Sequence, residues 1–117
     1  MNKRVLLTGG AGFIGHHVVE ELLDNTDYDV VCLDRLDTSG NLNRLAEILE
    51  VNPNARNRLK IVWHDLKAPL NEMIRKQIGP INYVLHLAAG SHVDRSIDYP
   101  MEFVLDNVVG TCNILEF

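Results

Sequence analysis

The segment TGGAGFIG, Thr8 to Gly15, restricts this chain more than any other stretch. It follows a short β-rich run, Val5 to Thr8. It opens a helical pattern from Phe13 to Asp24 with Ile14, Val18, Leu22 and Leu23 on one side. A strand that enters a helix through spaced glycines is the start of a βαβ unit. Two glycine spacings are met at once, Gly10-x-Gly12-x-x-Gly15 and Thr8-Gly9-x-x-Gly12-x-x-Gly15. One glycine permits the tight turn, another removes the side chain that would block a pyrophosphate, and Gly15 lets the helix pack close to the strand. The helix start offers backbone N–H groups and a positive dipole end to phosphate. The competing reading is a tight turn that binds nothing.

The same alternation continues along the chain. Asp29 to Asp34 (DVVCLD) predicts a second strand, and Leu42, Leu45, Ala46 and Leu49 an amphipathic helix capped by Asn41. Leu59 to Trp63 predicts a third strand. Leu70, Met73, Ile74 and Ile78 form a helical stripe closed by Gly79-Pro80, and Asn82 to Ala88 a fourth strand. A last helix is capped by Asp98 with Pro100 in its first turn. Its apolar stripe runs through Met101, Val104, Leu105, Val108, Val109, Cys112 and Leu115, with a mixed second face of Phe103, Asn107, Gly110 and Ile114. Strand-then-helix units repeated in this way give an α/β fold, a doubly wound (Rossmann) parallel sheet with helices on both faces. The last stripe reaches Phe117 with no Gly or Pro to stop it. The expectation is therefore a sheet truncated after the fourth βα unit, residues 1–117 being a fragment or a protein whose next element has been lost.

Asp34 ends the second strand about 20 residues beyond the glycine loop, where a ribose would be met. Its carboxylate accepts from a 2′-hydroxyl and repels a 2′-phosphate, which favours NAD over NADP. Arg35, next in line, softens that preference. The bland alternative for Asp34 alone is a solvated acid at a strand end.

Composition removes several function classes. A net charge of −5 over 117 residues speaks against a nucleic-acid or acidic-membrane surface. No apolar run has transmembrane length, and Met1 to Arg4 lead into too short an apolar stretch for a signal peptide, so a cytoplasmic protein is expected. Cys32 and Cys112 read as small buried residues rather than a disulfide framework. Five histidines show no metal-ligand spacing. His86, in an apolar strand, reads as a hydrogen-bonded core residue. Ser91, His92 and Asp94 have the composition of a hydrolase triad but are too close together to align as one. Asp94 pairs with Arg95 or caps a turn, and Trp63 is a strand residue of core or rim.

TGGAGFIG with Asp34, then HDL at His64 to Leu66 and HLAA at His86 to Ala89, resembles the extended short-chain dehydrogenase/reductase family. Within that family, HLAAGSHVDRSI (His86 to Ile97), GNL (Gly40 to Leu42) and NVVGT (Asn107 to Thr111) resemble the dTDP-glucose 4,6-dehydratases, over about the first third of such an enzyme. The resemblance implies NAD as cofactor. Gly9, Gly12 and Gly15 would form the loop, with Phe13 and Ile14 at the pyrophosphate. Asp34, Arg35, Leu36 and Asp37 would surround the adenosine ribose. Asp65 and Leu66 would flank the adenine. Leu87, Ala88 and Ala89 would line the cofactor beyond the fourth strand. Ser91 would sit where cofactor and sugar nucleotide meet, Asp106 near the cofactor, and Asn107 at the asparagine position that supports the active site. Departures are Gly90 in place of a usual Glu, Asp37-Thr38-Ser39 in place of a Thr-Tyr-Ala-like stretch, and Asp106 in place of a commoner Thr.

The family's chemistry also needs a Tyr-x-x-x-Lys pair. Four residues after Tyr28, Tyr83 and Tyr99 stand Cys32, Leu87 and Phe103, so no catalytic residue is assigned and this chain alone is expected to be inactive. A full-length parent would oxidise a sugar at C4, lose water across C5–C6 and return hydride to C6. Two other functions fit less of the sequence: a sugar-nucleotide epimerase or decarboxylase of the same family, and a non-catalytic nucleotide-binding or interaction module. Extended family members dimerise through helices of the last region, so self-association is expected.

Overall fold

A computed structural model describes residues 2–36, 41–91 and 93–117. Its strands are β1 (Arg4–Thr8), β2 (Asp29–Asp34), β3 (Leu59–Trp63) and β4 (Tyr83–His86), all parallel, in the spatial order β3-β2-β1-β4. The chain steps outward from β1 to β3 and then returns to the far side of β1. With right-handed crossovers, that reversal places helices on both faces and opens a crevice between β1 and β4. α1 (Phe13–Asn25) and α2 (Leu42–Val51) cover one face, packing on Leu7, Val30 and Cys32. α3 (Glu72–Ile78) and the end of the last helix cover the other, around Leu6, Val31, Leu33 and Val62. Adjacent strand residues thus serve opposite layers, as the period of two demands.

The two central strands are buried on both sides. The outer strands are not: Tyr83, Val84 and Leu85 of β4 and Ile61 and Trp63 of β3 keep exposed surface. Local chemistry sets several boundaries as expected. The Asn41 side chain accepts from the Asn43 amide at the start of α2, and Gly79, at φ +74°, closes α3.

Four expectations are corrected. In α1 the buried row is Gly15, Val19 and Leu23, and Ile14 is exposed. The helix leaves the glycine turn with its first-turn side chains over the crevice rather than over the sheet. Met73 is exposed, and Leu70 is buried just ahead of α3. A short helix, α4 (Val93–Asp98), occupies a stretch to which the sequence pattern assigns no element, so Asp98 ends a helix instead of capping one; Tyr99 holds the cap position without a side-chain bond.

The last helix is turned over. α5 (Pro100–Val104), a π-helical turn (Leu105–Val109) and α6 (Gly110–Glu116) follow without a break. Its buried residues are Gly110, Asn113 and Ile114, whereas Met101, Val104, Val108 and Leu115 face outward and Cys112 is exposed. The mixed face points inward because it makes specific contacts. A Cβ on Gly110 would come within 3.3 Å of Leu66 Cβ, and Asn113 Nδ2 donates to the Leu66 carbonyl at 2.6 Å.

Candidate functional site

A cleft of about 600 Å³ opens at the carboxyl ends of the strands. That is the position expected for ligands in an open α/β sheet, and the size suits a small molecule. One wall is the glycine turn. Gly9 has φ +74°, and a Cβ there would lie 2.9 Å from the Ala88 nitrogen, so the loop and the β4 exit touch backbone to backbone. A Cβ on Gly15 would overlap the Gly9 carbonyl oxygen, so the first turn of α1 packs directly on the glycine turn it leaves. Cys32 Sγ lies behind Gly10 on the core side.

The loop is fixed from β2. Asp34, only 8% exposed, accepts the Ala11 amide at 3.0 Å on Oδ2 and the Leu36 amide at 2.7 Å on Oδ1. It is not a solvated strand-end acid: it splices the turn to the residues after β2. Leu36 (φ +55°) is held by that bond and does not line the cleft.

The opposite wall is built by the β4 exit. Thr8 Oγ1 accepts the Leu87 and Ala88 amides, both at 3.1 Å. Two amides aimed at that oxygen leave its proton for His86 Nδ1, 2.6 Å away. His86 Nε2–H then donates to Thr111 Oγ1 at 3.0 Å, and the Thr111 hydroxyl donates to the Asn107 carbonyl at 2.6 Å. Burial lowers the His86 pKa, in keeping with this neutral tautomer. Asn107 also clamps the turn after β4: the Gly90 amide donates to its Oδ1 at 2.7 Å, and its Nδ2 donates to the Gly90 carbonyl at 3.1 Å. Asn107 lies in the π turn.

Phe13 and Ile14 stand exposed at the mouth. Asp65, Leu66 and Asp106 complete the rim, with Ala89 and Ser91 beyond Ala88. Asp37 and Gly40 lie outside the described residues, as does His92, so the triad-like trio has no described geometry. Leu33, Arg44, His64 and Lys67 also line the cleft and were not expected there. Arg44 Nη1 donates to the Ala11 carbonyl at 3.1 Å. Its place in the first turn of an ordinary-looking helix gave no signal. Lys67 follows the HDL segment immediately and was within reach of a closer reading. Asp94 and Arg95 do not join each other; Arg95 pairs with Glu102 at 3.5 Å. Trp63 is a rim residue, its Nε1 donating to the Arg35 carbonyl at 3.0 Å. Among the described residues no group of three or more His, Cys, Asp or Glu side chains is placed to hold a metal ion.

Comparison with known proteins agrees with this fold. The family model described as GDP-mannose 4,6 dehydratase matches residues 6–117. A dTDP-glucose 4,6-dehydratase of Neisseria meningitidis serogroup B is 44% identical over 114 residues, covering 97% of this chain and 31% of that protein. The Salmonella typhimurium dTDP-glucose 4,6-dehydratase is 43% identical over 115 residues, covering 97% and 30%. The chain thus spans about a third of the curated relatives it matches. Among solved structures, the UDP-Glc/GlcNAc 4-epimerase from Campylobacter jejuni superposes with a TM-score of 0.83 at 25% identity, over 98% of this chain and 33% of that one. A dTDP-glucose 4,6-dehydratase from Bacillus anthracis in complex with NAD gives 0.74 at 28%, over 97% and 33%.

Proposed function

The chain belongs to the GDP-mannose 4,6 dehydratase family, and from that premise we propose that it is the NAD-binding portion of a sugar-nucleotide 4,6-dehydratase acting on dTDP-glucose. The observation that carries this reading is the convergence of the glycine turn, Asp34 and residues 87–89 on one cleft. The residues present fit a dinucleotide. A Cβ on Gly12 would meet only the Gly9 carbonyl, at 3.1 Å, and otherwise stand in open space at the cleft. The start of α1 has no side-chain cap, which leaves first-turn amides for an anion.

In this reading Gly9, Gly12, Phe13, Ile14 and Gly15 hold the pyrophosphate, and Asp34 takes the ribose hydroxyls. Arg35 stands beside that ribose. Asp65 and Leu66 flank the adenine, and Asp106 closes the rim. Leu87, Ala88 and Ala89 line the far half, and Ser91 also meets the sugar nucleotide. NAD held by these residues would supply the hydride acceptor and donor for a sugar carbon. The neutral Thr8–His86–Thr111 chain holds the far wall still without moving a proton to substrate. Proton abstraction needs residues this chain does not supply, since none of its tyrosines is followed by lysine at the fourth position.

A 4-epimerase is the second reading, because the C. jejuni enzyme superposes well. The higher sequence identity to dehydratases favours the first. We also place the protein in the cytoplasm as a homo-oligomer. Among the described residues no helix is long and apolar enough to cross a membrane, and the outward stripe of Met101, Val104, Val108 and Leu115 suits a second copy.

Substituting this chain for the matching first third of the Salmonella dehydratase tests the substrate. A 4-keto-6-deoxy product from dTDP-glucose is expected. A folded, NAD-loaded chimera that forms none, or that epimerises instead, would overturn the assignment.

A further inference from the structure

We propose that Asp106 is a specificity-determining residue, keeping the cleft for an unphosphorylated ribose by holding the Arg35 guanidinium away from any 2′-phosphate. The inference rests on the dinucleotide reading above. By sequence, the Asp34-Arg35 doublet is ambiguous: the acid selects against a 2′-phosphate, and the arginine next to it is the residue that would accommodate one. The structure resolves that ambiguity from a distant part of the chain.

Arg35 is anchored at both ends. Its carbonyl accepts from Trp63 Nε1 at 3.0 Å. Its guanidinium forks onto the Asp106 carboxylate, Nη1 to Oδ1 at 2.7 Å and Nη2 to Oδ2 at 3.2 Å. The two side chains are 29% and 12% exposed, so the pair is partly shielded from water. This two-point geometry is the strongest that arginine makes, and it is the same geometry with which arginine would grip a phosphate. The two uses compete for one fork.

The surroundings add to the bias. Asp65 Oδ2 lies 3.9 Å from Arg35 Nη1, and Lys67 Nζ lies 3.7 Å from Asp65 and 3.9 Å from Asp106. Two cations and two carboxylates therefore alternate on this rim and cancel formally. Asp34 and Arg44 add a third carboxylate and a third cation to the same cleft, and Arg44 is engaged with the Ala11 carbonyl. An incoming phosphate meets acids whose compensating cations are already engaged. Thr at position 106 would leave the guanidinium without this partner.

The test is the ratio of NADP⁺ to NAD⁺ dissociation constants, measured by calorimetry on the whole chain. Asp106→Asn keeps the shape of the side chain and removes its charge. The ratio is expected to fall by about tenfold or more, because one charge-assisted fork is released for the 2′-phosphate. Adding Arg35→Ala to Asp106→Asn is expected to restore a ratio at least as high as that of the unaltered chain. Should Asp106→Asn not fold, as judged by circular dichroism, Asp106→Thr serves with the same expected fall. An unchanged ratio in a folded variant overturns the assignment to Asp106. So does a fall that survives removal of Arg35. A folded unaltered chain that binds neither dinucleotide overturns the cofactor reading itself, which separates the two failures.

Discussion

The carboxylate of Asp34 accepts the amide of Ala11 at 3.0 Å, and so joins the end of β2 to the middle of the glycine turn. A second oxygen of the same carboxylate takes the Leu36 amide. Asp34 is thus part of the loop's architecture before any ligand arrives. Asp34→Ala leaves two backbone donors without acceptors, and a loss of about 1–3 kcal/mol is expected. Asp34→Asn, which retains one carbonyl oxygen, loses less. Urea unfolding of the two variants checks this order; equal stability of all three proteins would contradict it.

Gly15 is required by the fold before any ligand arrives. A Cβ at this position runs into the Gly9 carbonyl, which is backbone and cannot swing aside. Gly15→Ala is expected to cost about 1–3 kcal/mol or more, measured as a lowered urea midpoint. A variant as stable as the parent would mean that α1 is not packed on its turn as described.

The thiols should differ sharply. Cys32 is buried against Gly10, and burial, reinforced by the charge of Asp34, pushes its pKa up to about 12. Cys112 is exposed. A chromogenic disulfide reagent is expected to titrate one thiol in the native protein and the second only after unfolding. Two equally fast thiols would refute the placement of Cys32.

The His86 chain makes stability depend on pH with a defined sign. Burial lowers the folded pKa below the ordinary 6.5. Between those two values the unfolded state binds more protons, so stability falls as pH drops through 6.5 and stops falling, from this residue, below the folded value. Thermal melts from pH 7.5 to pH 5 (about the window in which an unfolded histidine charges) compare the parent with His86→Gln. The variant is expected to lose less over the interval; parallel losses would remove His86 as the cause.

Much of this molecule was readable from residue order. DVVCLD and Leu59 to Trp63 form strands with the expected bounds, because β-branched runs between turn residues leave little alternative. The cleft was readable because glycine spacing and a strand-end acid carry their mechanism with them. Three features were not. The last helix shows an apolar stripe, yet buries Gly110 and Asn113, since close approach and a hydrogen bond to Leu66 set its orientation. The α4 segment offers only Val93 and Ile97, one helical turn apart and both exposed, which is too short a stripe to distinguish a helix from a loop. The Arg35–Asp106 fork joins positions 71 residues apart, and no local pattern encodes it.

The most direct measurement is calorimetric titration of NAD⁺ into the unaltered chain and into Gly12→Ala, with Trp63 emission followed alongside. A Cβ on Gly12 would stand 3.1 Å from the Gly9 carbonyl and otherwise in open space, so the variant should fold with a smaller loss of stability than Gly15→Ala. The account predicts saturable binding by the parent, with one NAD⁺ per chain, and its loss in folded Gly12→Ala. A folded parent that takes up no NAD⁺, or a Gly12→Ala variant that binds it equally well, would contradict the claim that this glycine turn is a dinucleotide cradle.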